Sequence, residues 1–152
     1  MKKMFFYCLL LGGFLMAGTT LHAQLRTLPS AVTDSFKAKY PDAKQVSWSD
    51  KLGYWQVTFY QGADEMTAKF KNDGAWQTSL KKIAQTSLPA EIQDGFSKSL
   101  YADDDWRVAT VQVVYLPGNV IEYAIQVEKS QFQKKNLLFN SKGRLIKENA
   151  AL

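Results

Sequence analysis

The residues of this chain that could act as nucleophile and base are Ser79 and Lys82, which match a Ser-x-x-Lys pattern. In that pattern the lysine removes the proton of the serine hydroxyl, on a helical platform and with further motifs such as Lys-Thr-Gly. The chain contains no Lys-Thr-Gly, and alternation along a strand would point the two side chains to opposite faces. A hydrolase that uses this pair, or carboxylates, is the least supported of the three functions we consider.

Acidic residues provide two more candidate sites. The run 103–105 is Asp-Asp-Asp and could supply oxygen ligands to calcium, but Val108 and Val114 stand where an EF-hand loop requires glycine and glutamate. Glu122 and Glu128 could pair as glycosidase carboxylates, yet six positions along one strand separate them by about 20 Å. We therefore predict neither a metal site nor a glycosidase.

The first 23 residues resemble a secretory signal peptide. Lys2 and Lys3 precede an apolar run over residues 4–17, and Leu-His-Ala at 21–23 is a plausible signal-peptidase site. The run is shorter than the roughly 20 residues of a membrane span, and Cys8 lies inside it rather than after it, which argues against a lipid anchor. We expect residues 24–152 to form a single domain in the periplasm or outside the cell, with no membrane insertion after cleavage.

Export would remove Cys8 and His22, the only cysteine and the only histidine of the chain. The usual zinc and copper sites and imidazole-activated nucleophiles need those residue types, so we predict no catalytic residue, no cofactor and no metal. The net charge of +5 includes Lys2 and Lys3, and the remaining lysines are interspersed with acids. A nucleic-acid surface would show a denser basic stripe.

Two segments sixty positions apart carry the same apolar pattern. Leu-Pro at 28–29 recurs at 88–89, and each segment has an apolar residue at every fourth position, which suits a helix lying on one core. The positions are Leu28, Val32, Phe36, Tyr40 and Leu88, Ile92, Phe96, Leu100. The heptapeptide at 70–76 returns at 139–145, offset by 69. We predict two tandem repeats, over residues 28–86 and 88–148; two unrelated amphipathic helices are the alternative.

Local signals set the expected helix ends. Pro29 and Pro89 suit a first helical turn, and Pro41 should end the first helix because it cannot extend the hydrogen-bond ladder. The run 102–105 is expected to stop the second helix. Gly95, inside that helix, should cost it about 1 kcal/mol relative to alanine.

After each helix the pattern changes to alternation. Residues 54–60 place Trp55 and every second neighbour on one face and Tyr54, Gln56 and Tyr60 on the other. Turn signals such as the Asp-Gly at 73–74 separate such runs. We predict an α+β protein in which each helix precedes a four-stranded meander, with strands near 44–50, 54–61, 65–71, 75–83, 107–115, 120–128, 132–140 and 144–148.

The Leu-Pro openings, Tyr-Pro-Asp-Ala at 40–43, Tyr-Trp-Gln-Val-Thr-Phe at 54–59 and Phe-Lys-Asn-Asp-Gly-Ala-Trp at 70–76 resemble the PepSY-like periplasmic proteins of Gram-negative bacteria. The resemblance covers residues 28–148. It implies a fold similar to the β-lactamase-inhibitor protein, in which tandem helix-plus-four-strand units form one continuous antiparallel sheet with the helices on one side. PepSY-type modules are implicated in restraining secreted peptidases, and the family has no catalytic residues to carry over.

We therefore expect a non-catalytic binding or inhibitory module that presents a sheet face to a protein or peptide partner, for which an envelope peptidase is one candidate. The predicted partner-binding residues are Tyr54, Gln56, Tyr60 and Trp76, because exposed aromatic side chains offer large contact area at low entropic cost. Replacement of Trp76 by Leu145 in the second copy argues against equivalent binding by both halves. A periplasmic protein that binds or senses a small ligand or a glycan is the alternative.

Overall fold

The structure is a computed structural model that describes residues 26–151. The predicted signal peptide, Cys8 and His22 lie outside the described residues. Within residues 26–151, the chain forms two helices and eight strands, with a short 3-10 turn at Gln85–Ser87. The elements are α1 (Ser30–Lys39), β1 (Lys44–Lys51), β2 (Tyr54–Gln61), β3 (Asp64–Phe70), β4 (Trp76–Ile83), α2 (Ala90–Ser97), β5 (Arg107–Leu116), β6 (Val120–Glu128), β7 (Lys134–Asn140) and β8 (Leu145–Ala150).

All eight strands form one antiparallel sheet in the order β1 to β8, so that every strand pairs with its sequence neighbours. The continuous sheet of an α+β protein is therefore confirmed, and the predicted strand limits agree with the observed ones to within two residues. The pairing of β4 with β5 joins the two halves, with Ser79 opposite Tyr115 and Ile83 opposite Val111. This central pair makes a single sheet from two four-stranded meanders.

Both helices pack on the same face of the sheet. Val32 and Phe36 of α1 lie in a core cluster with Trp55, Val57 and Phe59 of β2 and further side chains of β3. Ile92 of α2 lies in a second cluster, with Leu88, Tyr101, Val111, Ile125, Val127, Leu137 and Phe139. The register of the paired strands places the buried strand residues of both clusters on one side of the sheet. Within residues 26–151, no helix covers the opposite side, which we call the open face.

The helix ends differ in part from the prediction. Pro29 and Pro89 occupy the N-cap positions, one residue before the first helical turn, and α1 ends at Lys39 ahead of Pro41 as expected. However, α2 ends at Ser97, several residues before the acidic run at 102–105.

The early end of α2 changes which side chain reaches the core. The helical spacing predicted that Leu100 would face the core, but Leu100 is 86% exposed and Tyr101 is buried in its place. Tyr101 packs edge-to-face on Trp106, with ring centroids 5.0 Å apart. The prediction was wrong because the chain leaves helical geometry after Ser97, so the four-residue period no longer sets the direction of the next side chains.

Candidate functional site

Three of the four predicted partner-binding residues lie on the open face. Tyr54, Gln56 and Tyr60 alternate along β2 with Trp55, Val57 and Phe59, which are all buried under α1. Tyr60 is 37% exposed, and Tyr54 and Gln56 are half-buried. The three side chains thus form one row along the strand, accessible from outside.

Neighbouring strands place charged groups beside this row. Lys69 of β3 pairs in register with Gln56, and its Nζ lies 5.3 Å from the centroid of the Tyr54 ring. Glu65 pairs with Tyr60. This cation–π contact attracts the Lys69 ammonium group to the Tyr54 ring.

One apolar pair lies at the centre of the open face. Leu80 of β4 pairs with Val114 of β5, and Val114 is only 8% exposed although no helix within residues 26–151 lies above it. Thr67 and Glu122 flank the pair on the adjacent strands. Sequence reasoning missed Leu80 and Val114, because alternation within each strand does not reveal which residues meet across strands.

Trp76 is separated from the other three predicted residues. It pairs with Phe70 across a β-bulge, whereas Lys69 pairs with Thr78. The extra residue reverses the alternation, so the Trp76 indole lies on the helix side against the α1 core cluster. Trp76 therefore cannot share a binding face with Tyr54.

Ser79 is fully buried on the helix side. Its hydroxyl shares a hydrogen bond of 2.5 Å with the Tyr40 hydroxyl and accepts a second, of 2.8 Å, from the Trp76 indole N–H. Burial raises the pKa of the Tyr40 hydroxyl, and the bond to Ser79 partly opposes that shift. Lys82 lies on the opposite face, paired with Gln112. The two residues of the Ser-x-x-Lys pattern therefore do not converge.

Two of the acidic candidates, Asp105 and Glu128, are engaged in ion pairs. Asp105 pairs with Lys129 at 2.5 Å, and Glu128 pairs with Arg107 at 2.5 Å. In the part of the chain that the structure describes, no group of three or more metal-ligating side chains lies together.

A cleft of about 370 Å³ lies on the helix side, between the end of α1, β4 and the β5–β6 hairpin. Lys39 lies above the Trp76 ring, with Nζ 3.7 Å from the ring centroid. Tyr40, Tyr115 and Ile121 also line the cleft. The sequence held no signal for this cleft, because its walls come from segments far apart in the chain.

Within the described residues, the eight-stranded antiparallel sheet with two helices on one face and an open opposite face defines an α+β fold. A family model described as "Putative beta-lactamase-inhibitor-like, PepSY-like" matches residues 53–147. The chain belongs to this PepSY-like family, as its sequence motifs indicated.

Solved structures support the same assignment. A DUF2874 family protein from Bacteroides ovatus is 27% identical, with a TM-score of 0.75, and the match covers 82% of this chain and 89% of that one. A BLIP-like protein from Bacteroides fragilis is 26% identical, with a TM-score of 0.72 over 83% of this chain and 89% of that one.

A third structure, described as a putative periplasmic protein of Bacteroides eggerthii, shares the fold at 24% identity, with a TM-score of 0.73 over 82% of this chain and 90% of that one. No curated protein matches the chain. Among the described residues, neither helix is long and apolar enough to cross a membrane.

Proposed function

We propose that this protein is an exported, non-catalytic binding module that holds a protein partner against the open face of its sheet, with an envelope peptidase as the candidate partner to be inhibited. The observation that carries the proposal is the one-sided placement of the helices. Seven spacings of about 4.8 Å give the sheet a width of roughly 34 Å. A face of that width can supply the roughly 800 Å² that each partner contributes to a standard protein interface.

The side chains of the open face support a protein rather than a small molecule as the occupant. Tyr54 and Tyr60 are aromatic anchors at one end, and Leu80 and Val114 form an apolar pair at the centre. Interfaces are enriched in tyrosine and place polar groups at the rim. The family description as β-lactamase-inhibitor-like agrees with an inhibitory role.

Two features favour binding over catalysis. The Ser79 hydroxyl is buried and hydrogen-bonded to Tyr40 and Trp76, and the carboxylates of Asp105 and Glu128 are held in ion pairs with lysine or arginine. The signal-like residues 1–23 support export to the periplasm, the location given in the description of the Bacteroides eggerthii structure.

We also propose that the two halves are tandem copies of one unit. The turns at 71–75 and 140–144 make equivalent bonds, from Lys71 N–H to Ala75 C=O at 2.9 Å and from Asn140 N–H to Arg144 C=O at 3.0 Å. Each turn presents a glycine, Gly74 or Gly143, to the first turn of its own helix. The bulges after residues 69 and 138 are also equivalent.

The test is site-specific photo-crosslinking in the native envelope. A photoreactive residue at Tyr60 should capture a defined protein, and the purified pair should then bind with a dissociation constant that Tyr54→Ala/Tyr60→Ala raises at least about tenfold, because tyrosine anchors carry over 1 kcal/mol each. Phe132→Ala is the matched control, since Phe132 is 93% exposed but lies in the β6–β7 loop. Equal affinity of the double variant and wild type would overturn the open-face proposal.

A further inference from the structure

The cleft beside α1 has a construction distinct from that of the open face. Its volume of about 370 Å³ falls within the range of about 300–1,000 Å³ typical of small-molecule sites. The walls are mainly aromatic and aliphatic, and the β5–β6 hairpin contributes Ile121, which is 41% exposed. Covering these side chains would remove apolar surface from water, which favours an apolar occupant.

One positive charge lines this apolar cleft. Lys39 rests on the Trp76 ring at 3.7 Å, and no carboxylate within residues 26–151 lies at ion-pair distance from its Nζ. An ammonium group that contacts an aromatic face can still donate hydrogen bonds on its free side. The positive charge of Lys39 therefore makes the site complementary to an anionic ligand.

The floor of the cleft is held in place before any ligand binds. Ser79 fixes the Tyr40 ring and the Trp76 indole through two hydrogen bonds. Tyr40 also packs on Phe59, with ring centroids 4.6 Å apart. A pre-ordered aromatic surface loses little entropy on binding, which suits a shallow site for a small molecule.

From this geometry we propose that the cleft binds a small apolar ligand that carries a carboxylate, with the carboxylate on Lys39 and the apolar part against Trp76, Tyr115 and Ile121. The site is separate from the open face, because Trp76 and Tyr40 lie on the helix side of the sheet. A free apolar acid and the C-terminal residue of a peptide share this chemistry.

The test uses the full mature chain labelled with ¹⁵N and follows the indole N–H resonance of Trp76, which Trp76→Phe identifies. N-acetyl-L-phenylalanine should shift this resonance with a dissociation constant of about 1 mM, as expected for a ligand of this size. The uncharged N-acetyl-L-phenylalanine amide should bind at least about fivefold more weakly, because a hydrogen bond to a charged group discriminates by roughly that factor or more.

Lys39→Met should abolish the preference for the acid over the amide. Lys37→Met is the matched control, because Lys37 is also exposed on α1 but does not line this cleft, and it should retain the preference. The tripeptide Gly-Gly-Phe distinguishes the two possible sources of the carboxylate. Tighter binding of the tripeptide than of N-acetyl-L-phenylalanine indicates a peptide C-terminus, and weaker binding indicates a free acid. Either result supports the site. Equal binding of acid and amide, an unchanged preference in Lys39→Met, or no shift of the Trp76 resonance would overturn the proposal.

Discussion

The carbonyl group of Gly143 lies directly against Gly95, so that no space remains for a Cβ atom on Gly95. Gly143 in turn lies against the carbonyl of Glu91, with φ at +76°. Helix α2 and the β7–β8 turn are therefore in direct contact through their backbone atoms. This close approach gives a physical reason for a glycine inside a helix, where sequence reasoning saw only a cost.

We predict that Gly95→Ala destabilises the protein by about 1–3 kcal/mol, as overpacking usually does. Helix propensity alone predicts the opposite, a gain of about 1 kcal/mol. Urea unfolding followed by circular dichroism would measure the free energy of unfolding of the variant and of the wild type. The control is Ala38→Gly at an exposed site of α1, which should cost about 1 kcal/mol. A more stable Gly95→Ala variant would show that the contact with Gly143 is not tight.

Gly143→Ala should cost at least about 1 kcal/mol more than Gly62→Ala. Both glycines have positive φ, +76° and +63°, so each substitution carries the strain of about 1–2 kcal/mol that an L-residue meets there. Only Gly143 also faces a backbone carbonyl, whereas nothing lies within 4 Å of a Cβ at Gly62. Unfolding curves of the two variants would measure the difference, and equal losses would contradict the prediction.

The hydrogen bonds of Ser79 should stabilise the fold. Ser79→Ala would leave the Trp76 N–H and the Tyr40 hydroxyl without their partner, at a cost of about 1–3 kcal/mol. A double-mutant cycle with Tyr40→Phe should give a coupling energy of about 0.5–3 kcal/mol, as for residues in one network. Tyr60→Phe with Ser79→Ala is the control cycle, because Tyr60 lies on the other face, and its coupling should be near zero. Additive effects of the Tyr40 and Ser79 changes would argue against the network.

The free energy of unfolding should decrease at alkaline pH, in part because the Tyr40 hydroxyl loses its proton. Burial raises the pKa of its hydroxyl in the folded protein; the unfolded chain therefore loses this proton first, above about pH 10. The contribution is fully present below the unfolded pKa and is lost as pH rises through the folded pKa. Urea midpoints at about pH 8 and pH 11 should differ less in Tyr40→Phe than in wild type. A pH dependence identical to wild type would exclude this contribution.

Some features of the molecule follow from short stretches of sequence. The period of two in residues 54–60 placed Tyr54, Gln56 and Tyr60 opposite Trp55, and this face assignment is confirmed because the direction of side chains along a strand is a local property. Pro41 correctly predicted the end of α1, because the restriction that proline puts on the preceding residue is also a local property. The resemblance to the PepSY-like family predicted the continuous antiparallel sheet.

Only the tertiary structure decided the features that depend on distant residues. A bulge opposite Lys69 and Phe70 moved Trp76 to the helix side, and strand register brought Leu80 beside Val114. The cleft at Lys39 lies between the end of α1 and the β5–β6 hairpin, two segments far apart in the chain. Register, bulges and helix placement arise from contacts between segments tens of residues apart, and the periodicity of a single segment carries no information about its partner.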